Sequence, residues 1–254
     1  MAALAVAPDT GATVHGRLAD CVQVERGGDG VRYIEGEAFD TITLGAETSL
    51  HERNSVILIP NLLSATECAE LTADVERAHC DAMRALDGRG DSEGMERYMV
   101  PELSARTQQM FDAIMRQRLL PFVSSTLPPH IEDNIWAMSM VFDREERGPL
   151  AEQRLKFSAQ EPAINRYSTH GAFEPHRDKL AMTLNVLLSD TAAFVGGGTQ
   201  FWREEEGDEE RGPTACLLPQ MGCGVVFNGT VRHAGREVRS GLRHLLVASF
   251  NVAR

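Results

Sequence analysis

A chain of 254 residues can bury a substantial core, in one large domain or two small ones. Its net charge of −12 argues against a nucleic-acid backbone or an anionic membrane as partner. No apolar run approaches the roughly 20 residues that a bilayer span requires, and the start MAALAVAPDTGATVHG lacks the basic residues of a secretory signal. The cysteines, Cys21, Cys68, Cys80, Cys216 and Cys223, are odd in number and never spaced C-x-x-C. Neither a disulfide framework nor a zinc knuckle is expected, and a reducing, cytoplasmic setting is.

Residues 1–54 carry little pattern and are expected to form an extension packed on a single domain of residues 55–254. Within them, Arg26-Gly27-Gly28-Asp29-Gly30 reads as a turn and Val31-Arg32-Tyr33-Ile34 as a strand. Ser55-Val56-Ile57-Leu58-Ile59 is a short buried strand stopped by Pro60. Ser64 and Glu67 make a capping box for a helix from about Ala65 to Leu86, whose apolar face carries Cys68, Leu71, Val75 and Ala78. His79 and Cys80 are adjacent on that helix and point apart, so they do not read as a metal pair. Asp87 to Gly94 is a charged, glycine-rich loop. A second helix is expected over Glu102–Leu120, with Leu103, Met110, Phe111 and Ile114 inward and Pro121 ending it. Arg106, Arg116 and Arg118 read as its solvated face. Pro128-Pro129-His130 marks a turn before Ile135–Phe142, a run of strand length, and charge returns in Asp143–Arg147.

From Ala163 the texture changes to strands and glycine turns. Ala163–Tyr167, Met182–Leu188, Thr199–Trp202, Cys216–Leu218, Val225–Asn228 and Arg243–Val252 all read as strands. Short strands at near-regular spacing suggest a sandwich or jelly roll in place of a parallel α/β sheet. The expected fold class is α+β, a mainly β core with supporting helices from the N-terminal half.

The densest chemistry lies in Asn165–Asp178, NRYSTHGAFEPHRD. In an extended segment, residues two apart share a face, so His176 and Asp178 can reach one metal ion. A third ligand is available at His233, beyond the strand that contains Val225-Val226-Phe227. Two histidines and one carboxylate form a facial set that leaves adjacent positions open, as in non-haem Fe(II) oxygenases. His15, His51 and His130 lie in poorly patterned segments, and His170 is placed at the substrate side. Arg243 then opens the strand RHLLVASF. Alternation puts Arg243, Leu245, Val247 and Ser249 on one face and His244, Leu246 and Phe250 on the other. A guanidinium pointing into a β core is costly without a partner, and a dicarboxylate co-substrate supplies one. By the same parity His244 is no ligand. Gly196-Gly197-Gly198 reads as a turn, because no helix or lysine follows to make a phosphate nest. Glu204–Arg211 is a solvated loop or a flap over the substrate. Trp136 and Trp202 belong to the core or its rim; Trp202 and Arg177 join His170 as substrate-side candidates.

Taken in order, these residues form a recognisable set. Tyr167-x-x-x-Gly171-x-Phe173-Glu174-Pro175-His176-x-Asp178, then Gly197-Gly198-Thr199-x-Phe201, Pro219-x-x-Gly222, His233 and Arg243 resemble the Fe(II)/2-oxoglutarate dioxygenases, and among them the prolyl 4-hydroxylase group. The likeness spans about Ser55 to Phe250, weakly in the helical half and strongly from Asn165. It implies a double-stranded β-helix (jelly roll) with His176, Asp178 and His233 as metal ligands and catalytic set. It further implies that Arg243 binds the distal carboxylate of 2-oxoglutarate, with Tyr167 and Thr199 hydrogen-bonded to the same co-substrate. O2 is the second co-substrate, ascorbate an auxiliary reductant, and succinate and CO2 the products of hydroxylation. The implied substrate is a peptidyl proline or an amino-acid-like molecule; a different small metabolite, or a silent binding module on the same scaffold, is the alternative. Asp178 disfavours halogenation, which needs a small residue there, and the acidic charge disfavours nucleic-acid demethylation. Two departures bear on the substrate more than on the chemistry. Collagen-type enzymes carry lysine at the place of Arg243, and the spacing from Tyr167 to Gly171 is one residue longer than in many relatives. The helical half and the loops Asp87–Gly94 and Asp143–Ser158 are expected to shape the substrate pocket.

Overall fold

The structure is a computed structural model that describes residues 22–23, 41–43, 55–85, 93–122, 149–202, 213 and 215–253. In chain order the strands are β1 (Val22–Gln23), β2 (Thr41–Thr43), β3 (Ser55–Ile59), β4 (Met95–Met99), β5 (Leu155–Phe157), β6 (Ala163–Tyr167), β7 (Phe173–His176) and β8 (Met182–Leu187). They continue as β9 (Phe194–Gly196), β10 (Thr199–Phe201), β11 (Ala215–Pro219), β12 (Gly224–Asn228), β13 (His233–Gly235), β14 (Val238–Gly241) and β15 (Arg243–Val252). Two α-helices, α1 (Ala65–Ala85) and α2 (Ala105–Ala113), fall on either side of β4. The larger sheet has the order β2-β3-β12-β8-β15-β6-β4, with β5 beside the far end of β15. The smaller runs β1-β11-β10-β13-β7, and β9 pairs with β14. Neighbouring strands are antiparallel, so the fold is mainly antiparallel β with few helices. Among the described residues no helix is long and apolar enough to cross a membrane.

Alternation sets the layers. Along β8 and β15, Met182, Leu184, Val186, Leu246, Ala248, Phe250 and Val252 join one hydrophobic cluster with Cys68, Leu71 and Val75 of α1 and Met110, Phe111 and Ile114 of the second helical stretch. The intervening residues Thr183, Asn185, Leu245 and Val247 face the other way, into a cavity between the two sheets. Both faces of the larger sheet are therefore buried, one under helices and one against the smaller sheet. Each of β6, β8 and β12 is buried at every position.

The helices dock by specific polar contacts. The capping box forms as expected: Ser64 N–H donates to Glu67 Oε2 at 2.9 Å and Glu67 N–H to Ser64 Oγ at 3.3 Å. Asp74 of α1 accepts from Thr107 Oγ1 at 2.6 Å and the Ser104 amide at 3.0 Å, joining α1 to the start of α2. The expected helix over Glu102–Leu120 is broken into a 3₁₀ turn at Val100–Glu102, α2, and a π turn at Ile114–Leu119. Helical backbone continues through Pro121 to residue 122, so Pro121 does not end it at Leu120. The Leu120 amide bonds Met115 O, five residues back, and the wider turn eases the clash between a proline ring and the carbonyl four residues before it. Of the arginines read as a solvated face, Arg106 is exposed and pairs with Glu70. Arg116 and Arg118 instead cross-link elements. Arg118 grips Glu67 with both terminal nitrogens, at 3.0 and 2.6 Å, and donates to Leu62 O; Arg116 donates to Ala151 O at 2.7 Å.

The six strands expected after Ala163 are present to within about a residue at each end. Strands β4, β5, β9 and β14 have no counterpart among the expected strands: unlike the continuously buried β6 and β12, they are at most partly buried and carry no apolar run. The turn at Arg26–Gly30, the strand at Val31–Ile34, the run Ile135–Phe142 and the acidic stretch Glu204–Arg211 lie outside the described residues, as do His15, His51, His130 and Trp136.

Candidate metal centre and its cavity

Strand pairing assembles the centre. In the smaller sheet β13 lies between β10 and β7, and His233 is paired directly with His176 on one side and Phe201 on the other. The two imidazoles stand 4.3 Å apart between centroids. β7 ends at His176, so Asp178 is reached from the segment just beyond the strand. Asp178 Oδ1 lies 3.6 Å from His176 Nε2, and Oδ2 lies 3.7 Å from His233 Nε2. One donor atom from each residue falls within 4.8 Å of the other two, a geometry that can hold a metal ion; among the described residues no other His, Cys, Asp or Glu group converges in this way.

Backbone carbonyls fix which nitrogen is offered. His176 Nδ1 is 2.8 Å from Glu174 O, and His233 Nδ1 is 3.0 Å from Val231 O. A carbonyl only accepts, so each Nδ1 carries the proton and each Nε2 presents its lone pair to the centre. Thr183 Oγ1 donates a short bond to Asp178 Oδ2 and holds the carboxylate's plane. Burial pulls His233 down to about 4, against the opposing charge of Asp178. Burial pushes Asp178 up, but the His176 and Thr183 hydrogen bonds and the His233 charge outweigh it and leave the carboxyl below its usual range. For His176, burial is outweighed by the bonds to Asp178 and the Glu174 carbonyl, and its value is raised. A divalent cation binds the deprotonated imidazole, so at His176 it would compete with a proton.

Arg243 is 0% exposed, and none of its three guanidinium nitrogens has a hydrogen-bond partner. It opens β15, paired directly with Tyr167 of β6, and its guanidinium stands over the Tyr167 ring at 5.0 Å. Its Cδ packs where a side chain at residue 197 would begin: a Cβ there would meet it at 3.0 Å, and Gly197 also holds a positive φ of +70°. At the expected turn Gly196-Gly197-Gly198, the middle glycine thus leaves room for the Arg243 side chain and the Phe194 ring. The cavity between the sheets is lined by Tyr167, Thr199, Phe173, Gly235 and the three converging residues, with Leu245 and Val247 beside them. Tyr167 OH accepts from Asn165 Nδ2 at 3.1 Å. His244 points to the opposite face, as parity requires, where its Nε2 meets Glu76 Oε1 at 2.6 Å.

The substrate-side candidates fall elsewhere. His170 is exposed, adopts φ +64°, and pairs with Glu237 at 2.7 Å. Arg177 is exposed and donates to Thr230 O. Trp202 is buried with Arg232 stacked 5.0 Å over it. None of these three lines the cavity. His79 is buried, with Nδ1 2.9 Å from Tyr98 OH, and lies outside the converging metal-ligating group. Five polar lining residues are assigned no role by the sequence: Arg97, Glu161, Asn165, Thr183 and Asn185. Polar residues at alternate places in MTLNVLL were the available signal for Thr183 and Asn185. Arg97 and Glu161 have no local signal, because β4 meets β6 only in the folded sheet. Burial pushes the Glu161 carboxyl up, while a bond from the Ser249 amide opposes it.

A β-rich fold built around a His-Asp-His centre and a buried unpaired arginine is the class these observations define. No protein-family model matches the chain, and no curated protein does. The chain is similar in fold to solved structures of the 2OG-Fe(II) oxygenase family. One is an oxidoreductase of that family from Burkholderia pseudomallei, at 17% identity over 77% of this chain and 84% of that one, TM-score 0.43. A viral collagen prolyl hydroxylase from Paramecium Bursaria Chlorella virus-1 aligns at 15% over 78% and 96%, TM-score 0.46. A Pseudomonas putida prolyl-4-hydroxylase aligns at 14% over 78% and 93%, TM-score 0.48. Identities this low leave the functional reading to the site itself.

Proposed function

We propose that the chain is an Fe(II)- and 2-oxoglutarate-dependent dioxygenase on a jelly-roll scaffold, hydroxylating an unactivated C–H bond and releasing succinate and CO2. The observation that carries this reading is Arg243. A guanidinium fully buried without one hydrogen-bond acceptor is unfavourable by several kcal/mol in order of magnitude, and a ligand carboxylate removes that cost. The fork geometry suits a carboxylate bound through two parallel bonds, and burial strengthens each of them. Tyr167 and Thr199 line the cavity with the three ligands, and the Tyr167 ring is also what the Arg243 guanidinium stands over. Asn165 holds the Tyr167 hydroxyl in place.

His176, Asp178 and His233 would hold the iron through two Nε2 atoms and one carboxylate, leaving part of its coordination sphere open to the cavity. Bound iron would supply the redox chemistry that couples decarboxylation of the 2-oxo acid to hydroxylation. The chain's own part is to fix the donors, exclude water and orient the two organic molecules. Thr183 and the Glu174 and Val231 carbonyls do the first of these. Leu245, Val247 and Phe173 give the cavity its apolar wall.

The test is succinate release from 2-oxoglutarate in the presence of Fe(II), O2 and ascorbate. The wild-type protein is expected to form succinate, slowly alone and faster with substrate, and Asp178→Ala to lower the rate by about 100-fold or more. Unchanged turnover in Asp178→Ala would overturn the assignment, and iron binding with no succinate formed would favour a silent binding module.

A further inference from the structure

The cavity carries a pair of opposite charges of its own, and Arg243 is not among its lining residues. Apart from the three converging residues, its charged lining groups are Arg97 of β4 and Glu161, just ahead of β6. Arg97 is held in one plane: its Nε donates to Asn165 Oδ1 at 2.9 Å, and its guanidinium stands over the Phe173 ring at 5.3 Å. Glu161 Oε2 accepts from the Ser249 amide. The two meet only as a loose pair, 3.9 Å from Arg97 Nη1 to Glu161 Oε1, with side chains 20% and 11% exposed. At that distance neither group saturates the other. Arg97 keeps terminal N–H donors, and Glu161 keeps one oxygen, for whatever occupies the cavity.

Opposite charges held side by side match the reversed pair on an α-amino acid. Its carboxylate fits the guanidinium fork and its ammonium fits the glutamate oxygen. Resting on the function proposed above, we propose that Arg97 and Glu161 form the substrate-orienting site and select a free amino acid over a peptide. In a peptide both groups become neutral amides, and burying them against this pair gives up charge-assisted bonds without relieving the pair's desolvation. An amino acid held by both ends directs its side chain along the same cavity towards His176 and Asp178. Asn165 links the two sites, since one side chain bonds both Arg97 and Tyr167.

The experiment uses the full chain with Fe(II), 2-oxoglutarate and ascorbate, and reads succinate release with three sets of probes. These are the common free L-amino acids, their N-acetyl and carboxamide forms, and short prolyl peptides. A subset of the free amino acids is expected to raise succinate release about tenfold or more over the rate without substrate, and either blocked form to lose about tenfold or more of that gain. Arg97→Gln is expected to raise KM for the effective amino acid about tenfold or more, with a much smaller change in KM for 2-oxoglutarate, and Arg97→Lys to recover part of the loss. Glu161→Gln is expected to raise the same KM while leaving thermal stability near wild type, which separates a binding role from a folding one. Equal turnover of free and blocked forms overturns the proposal. So does preference for prolyl peptides, or succinate release that no amino acid stimulates. Absence of succinate under every condition, with no binding of 2-oxoglutarate, removes the underlying function instead.

Discussion

Arg243 is unfavourable for the fold by itself, and under the proposed function a ligand carboxylate would offset that cost. Its burial disfavours the charge more than the adjacent Tyr167 and Cys216 favour it, and no guanidinium nitrogen has a hydrogen-bond partner at bonding geometry. Replacing an uncompensated buried charge with an apolar side chain of similar length relieves that cost. Arg243→Met is therefore expected to stabilise the ligand-free protein by about 1–3 kcal/mol, an increase in Tm of about 3–10 °C. The same variant is expected to lose the thermal shift that 2-oxoglutarate gives the wild type. Scanning fluorimetry with and without 2-oxoglutarate reads both effects. A lower Tm in the variant would mean that the arginine contributes to folding in its own right. His244, one residue on, is also buried yet satisfied on the other face by Glu76 and Ser189. Neighbours in sequence have opposite fates because a strand turns alternate residues to opposite layers.

At the scale of elements, α1 is tied to the larger sheet through one carboxylate. Glu76 accepts from Arg166 Nε of β6 at 2.9 Å and from His244 Nε2 of β15 at 2.6 Å. Arg166 and His244 are paired across β6 and β15, next to the pair of Tyr167 and Arg243. A helix residue thus clamps the outer side of the two strands that carry Tyr167 and Arg243 on their inner side. The His244 bond, then the Arg166 bond and charge, hold the Glu76 carboxyl at about 2 against burial, below its ordinary 4.5. A folded-state value below the unfolded one stabilises the ionised form, so this contribution is present above about pH 4.5 and is lost as pH falls towards about 2. Glu76→Gln is expected to cost about 1–3 kcal/mol near neutral pH, because it removes a carboxylate from the buried Arg166 and from His244. It should also flatten the acid loss: denaturant midpoints at about pH 6 and about pH 3 should differ less than in wild type. An acid slope equal to that of wild type would place the linkage elsewhere.

The described residues form two large antiparallel sheets, with the β9–β14 pair beside them, and the titratable cluster lies between the two large ones. His176 and His233 come from the smaller sheet, Asp178 from the passage towards β8, and Tyr167 and Arg243 from the larger sheet. A metal would act on one layer and 2-oxoglutarate on both. Zn(II) and 2-oxoglutarate, added together, are therefore expected to raise Tm by more than the sum of their separate shifts. Each ligand near 100 times its dissociation constant contributes about 2.7 kcal/mol before any coupling. A chelator should remove the shared part of the shift, and strictly additive shifts would show that the two layers are not bridged.

Local pattern alone determined a good deal. Period-two alternation placed Arg243 inward and His244 outward, the capping box fixed the start of α1, and His176, Asp178 and His233 stood out as donors in extended segments. These features are carried by residues close in sequence, or by a side chain whose type is costly in any other position. Only the tertiary structure brought Arg97 and Glu161 to the cavity, and only it sent His170, Arg177 and Trp202 away from it. Those placements depend on which strands become neighbours and in what register. In β4 against β6, the register sets Arg97 opposite Asn165, across a span of chain in which no periodicity links the two. A sequence records the face a residue will show, while the partner it meets there is decided by the pairing of distant strands.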